Sequence, residues 1–212
     1  MKLRDEIRDA FIDYKYFLNR NYSRKIALDA VTTRYNLTKL ERLLLYRCVH
    51  SDYEIETIRR KISYEREVVI DGYNLALTLL SAINGEEVFL CDDGFFRDLG
   101  LGKYKNSNLI IDALIIISEY CEKLNLTCEI ILDSQISKSG EIASELRKKN
   151  IMAKTVNKAD KEVILSNKII YSNDFLVLYK SQRITNIFNE LLIENDFKII
   201  RGPWIVSTEE KL

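Results

Sequence analysis

Four acids in this chain each follow a short apolar stretch. Asp71 ends Val68-Val69-Ile70, Asp133 ends Ile130-Ile131-Leu132, Asp160 lies just beyond Ala153-Val156, and Asp174 closes Ile169-Ile170-Tyr171-Ser172-Asn173. A run of that length reads as a strand buried on both faces, and the polar residue after it lies where open α/β sheets keep their sites. Carboxylates gathered there offer the hard oxygen ligands that Mg²⁺ or Mn²⁺ prefers. One or two such ions can activate a water, stabilise a pentavalent oxyanion and relieve the leaving group of charge, which together make phosphodiester hydrolysis. Without a cation the cluster is costly: at ~5 Å and an effective dielectric of ~20, each pair of carboxylates repels by about 3 kcal/mol. A metal, a Lys or Arg, or raised pKa values must accompany it.

Asn74 stands three residues beyond Asp71. Its amide suits orienting a water or holding a carboxylate, while Gly72 lets the backbone turn closely; the structural alternative is that Asn74 caps the following helix. A second cluster, Cys91-Asp92-Asp93-Gly94-Phe95-Phe96-Arg97, offers Asp93 as an extension of the metal site, with Arg97, Lys103 and Lys105 as a basic lip for phosphates. The same residues also read as a tight turn with a local Asp-Arg pair. Gly100-x-Gly102-Lys103 lacks the spacing and the Ser or Thr of a P-loop. No glycine triplet of a dinucleotide site is present, so no dinucleotide cofactor is expected. His50, the one histidine, is poorly placed for nucleophilic catalysis at the end of a predicted helix. The cysteines, Cys48, Cys91, Cys121 and Cys128, are scattered and form no Cys-x-x-Cys, which argues for buried thiols against zinc or a disulfide framework.

The elements that must position these groups fall into two textures. All seven glycines and the single proline lie after residue 71, so residues 1–66 should be helical. Apolar spacing predicts a helix over Leu3–Asn19. Ser23 caps a second, through about Tyr35, with Ile26, Ala27, Ala30 and Val31 as its stripe. Thr38-Lys39-Leu40-Glu41 and Ser51-Asp52-Tyr53-Glu54 match capping boxes that open a third and a fourth. The second and third have the proportions of a helix-turn-helix, which would present Lys39, Arg42 and Arg47 to a nucleic-acid backbone; a plain helical hairpin is the competing reading. Over residues 67–212 strand-like runs alternate with helical ones. This α/β pattern predicts a largely parallel, Rossmann-like sheet with helices on both faces, preceded by the small all-helical domain. Residues 1–66 carry 15 Lys and Arg against 10 Asp and Glu, the remainder 17 against 22. A basic module beside an acidic one suits a polyanion holder joined to a metal holder. No apolar run is long enough to span a membrane and Lys2, Arg4, Asp5 and Glu6 leave no room for a signal peptide, so a cytoplasmic protein without a membrane partner is expected.

Ile70-Asp71-Gly72-Tyr73-Asn74, with Ser172-x-Asp174 later, resembles the PIN-like and NYN nuclease superfamily. The phrases Cys91-Asp92-Asp93-Gly94 with Arg97-Asp98, and Leu132-Asp133 with Ser137-x-Ser139-Gly140-Glu141, are similar to a narrower, mainly archaeal group known as domain of unknown function 434, over nearly the whole chain. The resemblance implies a PIN-like fold in the C-terminal part and a metal-dependent endoribonuclease site. On that reading Asp71, Asp133, Asp160 and Asp174 bind Mg²⁺ or Mn²⁺ beside Asn74, and RNA is the partner. The alternatives are a non-catalytic RNA- or ribosome-associated protein on a PIN-like scaffold, and a DNA-binding regulator using the helix-turn-helix. A homo-oligomer is compatible with all three.

Overall fold

A computed structural model describes residues 4–100 and 108–204. Its first third is helical: α1 (Glu6–Asn19), α2 (Arg24–Arg34), α3 (Lys39–Cys48) and α4 (Asp52–Arg59). Three starts are set by side chains legible in the sequence. Ser23 accepts from the N–H of Ile26, and Thr38 with Glu41 and Ser51 with Glu54 close both capping boxes, so orphan backbone donors are satisfied reciprocally. The stripe of α2 is rotated from expectation. Ala27, Leu28 and Val31 are buried while Ile26 is 62% exposed, because Leu28 takes the inner position.

From residue 67 the described elements are β1 (Glu67–Asp71), α5 (Gly72–Ile83), β2 (Val88–Leu90), β3 (Phe96–Asp98), α6 (Leu109–Lys123), β4 (Thr127–Asp133), α7 (Ser139–Lys148), β5 (Ala153–Val156), α8 (Ala159–Ile164), β6 (Ile169–Tyr171), α9 (Phe175–Lys180), α10 (Ile187–Glu194) and β7 (Ile199–Arg201). Four strands form a parallel sheet in the order β5-β4-β1-β6. Side-chain alternation along β1 builds its two cores. Val68 and Ile70 join Leu75, Leu79, Ile117, Leu146 and Phe188 on one face; Val69 joins Ile131, Ile170, Val163 and Val177 on the other. The outer edge of β6 is covered by Ile184, which bridges Ile170 on one side and Ile62 on the other.

The expected single sheet is split. β2, β3 and β7 form a separate three-stranded sheet in the order β3-β2-β7. The cause is the turn after β2: Gly94 adopts φ 88°, a conformation favouring glycine, and returns the chain so that β3 pairs antiparallel with β2. With β7 on its other edge, β2 has no free edge left to join the larger sheet. Its face is covered instead by the N-terminal helices. Phe89, Cys91 and Leu99 pack with Tyr14, Leu44, Leu45 and Trp204, while Ile58 of α4 packs beneath the parallel sheet. Two of the three apolar cores therefore contain residues from both sides of position 66. Among the described residues no helix is long and apolar enough to cross a membrane.

Candidate functional site

Each strand of the parallel sheet delivers one acid to the same edge. Asp71 is the last residue of β1, Asp133 the last of β4, Asp160 the second residue of the helix after β5, and Asp174 the cap of the helix after β6. The chain runs from β1 outward through β4 and β5, then returns to the other side of β1 with β6. The switch point therefore lies between β1 and β6, where open α/β sheets form their crevice.

Asp71 is the buried centre, 3% exposed. Its Oδ2 accepts from Ser172 Oγ at 2.6 Å and from Asn74 Nδ2 at 2.7 Å. Burial pushes its pKa up to about 6; the two hydrogen bonds oppose the rise, and the charges of Asp160 and Asp174 add to it. Asp160 is exposed, yet partial burial followed by the charges of Asp174 and Asp133 raises its pKa as well. Asp160 thus links the group, acting on Asp71 and itself feeling Asp174 and Asp133. None of the four acids forms a salt bridge with a described residue, and Lys180 acts on Asp160 only as a more distant charge. The group is open, however. The only three described His, Cys, Asp or Glu residues whose ligand atoms all lie within 4.8 Å of one another are His50, Asp92 and Asp93.

Local sequence explains the edge. Gly72 starts α5 directly after β1, and a Cβ there would lie 2.6 Å from Leu132 Cδ2 and 3.0 Å from the Ile131 carbonyl. Only glycine lets the helix begin this close to β4, which puts Asn74 one turn from Asp71. Asn74 therefore does not cap the helix; it holds the carboxylate. Asp174 caps α9 by accepting from the N–H of Val177 at 3.0 Å, and its own N–H donates to Ser172 Oγ at 3.1 Å. Ser172 thus links the two acids at the switch point. Asp133 accepts from the N–H of Gln135 at 2.8 Å, a turn of its own.

The second acidic cluster does not join this edge. Asp93 and Arg97 are both buried and form a bidentate pair with N–O distances of 2.9 and 2.6 Å, and Arg97 Nε donates to the Asn173 carbonyl at 2.6 Å. Arg97 is no phosphate lip: it faces inward because β3 is covered on both sides, and its role is to hold the backbone between Ser172 and Asp174. Asn173 extends this support, its Nδ2 donating to Thr78 Oγ1 at 2.7 Å, while Thr78 Oγ1 donates to Asp98 Oδ1 at 3.1 Å. Ser172 is the residue that the Ser-x-Asp spacing signalled, although it was given no role there; Asn173 and Thr78 are contributors that nothing local signalled. Lys103 and Lys105 lie outside the described residues. Of the three helix-turn-helix cations, Lys39 is exposed, Arg42 is held by Asp29 at 2.6 Å, and Arg47 points inward to Asp98 at 3.6 Å.

His50 and Asp92 connect the helical region to the hairpin after β2. His50 Nδ1 lies 2.7 Å from Asp92 Oδ1, its backbone N–H donates to Oδ2 at 2.9 Å, and its ring stacks on Phe175, the neighbour of Asp174. Burial lowers the His50 pKa to about 3 and raises that of Asp92 to about 6. At neutral pH the imidazole is therefore neutral and donates from Nδ1 to a carboxylate that Lys15 also reaches at 3.3 Å. With Asp93 taken by Arg97 and Asp92 by His50 and Lys15, both acids of this trio are satisfied, whereas His50 Nε2 is buried without a hydrogen-bond partner.

Residues 61–190 match the family described as Domain of unknown function (DUF5616). The chain belongs to this family. Residues 6–61 match a second model, Protein of unknown function (DUF434), so the family resemblance read over nearly the whole sequence is borne out for the helical region, while the DUF5616 half carries the acidic edge. An uncharacterized protein of Methanocaldococcus jannaschii is 33% identical over 189 residues, covering 84% of this chain and 91% of that one. No solved structure matches the chain.

Proposed function

We propose that this DUF5616 protein is a divalent-metal-dependent ribonuclease with a PIN-like sheet, acting at the edge formed by Asp71, Asp133, Asp160 and Asp174. The observation that carries the reading is the pairing of burial with charge at Asp71: a carboxylate at the switch point that feels the charges of Asp160 and Asp174 and has no salt-bridge partner among the described residues. The donor set fits Mg²⁺ or Mn²⁺, being all oxygen and free of salt bridges among the described residues. Asp71 and Asp174, tied together through Ser172, would hold such an ion, with Asp160 and Asp133 at the rim. When bound, the ion supplies an activated water and stabilises charge on the phosphoryl oxygens.

The residues of the chain do the rest. Asn74 and Ser172 fix the Asp71 carboxylate by both donating to Oδ2. Arg97 holds the Asn173 carbonyl and so keeps Ser172 and Asp174 in register. Asp160, exposed and with its pKa raised, is suited to accept a proton from an attacking water.

The test is cleavage of total cellular RNA with Mn²⁺, run beside Asp71→Asn. Cleavage by the wild type that disappears in the variant supports the reading. Equal cleavage in both, or none in either, overturns it. RNA binding that persists with EDTA present and without turnover would favour a binding scaffold instead.

A further inference from the structure

We propose that Cys48 and Cys91 are partners in a disulfide that staples the end of α3 to the loop after β2. Their sulfurs are 2.8 Å apart, although 43 residues separate them in sequence. Both residues are buried, and neighbouring backbone already binds the two segments: the N–H of Asp92 donates to the Cys48 carbonyl at 3.0 Å. A covalent bond of about 2.05 Å requires the sulfurs to close by less than about 1 Å. The neighbouring polar groups are engaged elsewhere: His50 with Asp92, Asp92 also with Lys15, and Asp93 with Arg97.

Arg97 adds chemistry to the proximity. Its charge favours the Cys48 thiolate against the larger opposing effect of burial. The oxidant is a low-molecular-weight disulfide. One cysteine loses its proton and its thiolate attacks a sulfur of that disulfide, forming a mixed disulfide and expelling one small thiolate, which takes up the proton. The second cysteine, deprotonated in turn, attacks the protein-bound sulfur and expels the other small thiolate. Two protein thiols are oxidised and one external disulfide is reduced to two thiols. Because both sulfurs are shielded in the folded chain, the exchange belongs to folding or to opening of the helical region. The bond is therefore a structural link rather than a rapid switch.

The chain carries its own comparison in Cys121 and Cys128, of which Cys128 is only half-buried. Wild-type protein is refolded from urea in a buffer of reduced and oxidised glutathione, trapped with N-ethylmaleimide in denaturant, and mapped by mass spectrometry. The expected result is a linked pair of peptides carrying Cys48 and Cys91, and a Tm roughly 10 °C above that of protein refolded with reductant. Cys91→Ala should show no such reductant-dependent difference attributable to this pair, and if the variant fails to fold, the wild-type map still decides. Alkylation of both Cys48 and Cys91 after oxidative refolding, or a link confined to Cys121 and Cys128, overturns the proposal.

Discussion

Replacing Asp71 by Asn should stabilise the protein while removing the function proposed for it. Asp71 is 3% exposed and its pKa is raised from 3.8 to about 6, chiefly by burial. At pH 7.5 the carboxylate is ionised in both folded and unfolded chains, and the difference corresponds to a penalty of about 3 kcal/mol on the folded state. Asparagine keeps the shape, and its carbonyl oxygen can still accept from Ser172 and Asn74, so the hydrogen bonds survive while the charge does not. The expected gain is about 1–3 kcal/mol at pH 7.5, or roughly 2–12 °C in Tm. The sign follows from linkage. A raised folded-state pKa means that the wild type regains this stability as pH falls through about 6 and has all of it back below 3.8, so the two proteins converge at pH 3.5. Thermal or urea unfolding across pH 3.5–7.5 measures the difference. Adding Mn²⁺ at pH 7.5 should then narrow the gap by stabilising the wild type alone. An Asp71→Asn protein less stable than wild type at pH 7.5, or a difference that does not change with pH, would refute the reasoning.

Arg97→Met should cost about 3–5 kcal/mol in urea unfolding, because it strands the buried Asp93 carboxylate; pairing it with Asp93→Leu should recover most of that loss. Gly72→Ala should destabilise by about 1–3 kcal/mol, because the added methyl meets Leu132 and the Ile131 carbonyl, and should displace Asn74 so that Mn²⁺ stabilises the protein less.

The sequence carried the fold where local rules decide it. Three helix starts were legible because Ser23, Thr38 and Ser51 need only the next turn to satisfy them, and the parallel strands were legible because β1, β4 and β6 are continuous apolar runs bounded by polar residues. The four acids were legible for the same reason. What escaped needed partners far along the chain. Phe96-Arg97-Asp98 reads as a turn until β2 is beside it, and Phe175–Lys180 is too short to show a helical period, so α9 is not legible although Asp174 caps it. The local Asp93–Arg97 pair was legible as one of two readings, but the burial that makes Arg97 structural comes from Asn173, Phe95 and the end of α3. The contact between Cys48 and Cys91 was invisible for the same reason: scattered spacing says nothing about two segments that tertiary packing lays side by side.

The small sheet has a consequence for the order of assembly. Its core joins Phe11 and Tyr14 near the start of the chain to Phe89 in the middle and Trp204 close to the last described residue, with the Phe11 and Trp204 ring centroids 6.3 Å apart and Trp204 Nε1 donating to the Leu90 carbonyl. As the chain emerges during synthesis, the N-terminal helices can form their capped turns but have no complete surface to bury against until residue 204 has been made. The parallel sheet, whose strands end at Tyr171, can close earlier. The helical region is thus first to be synthesised and last to be secured.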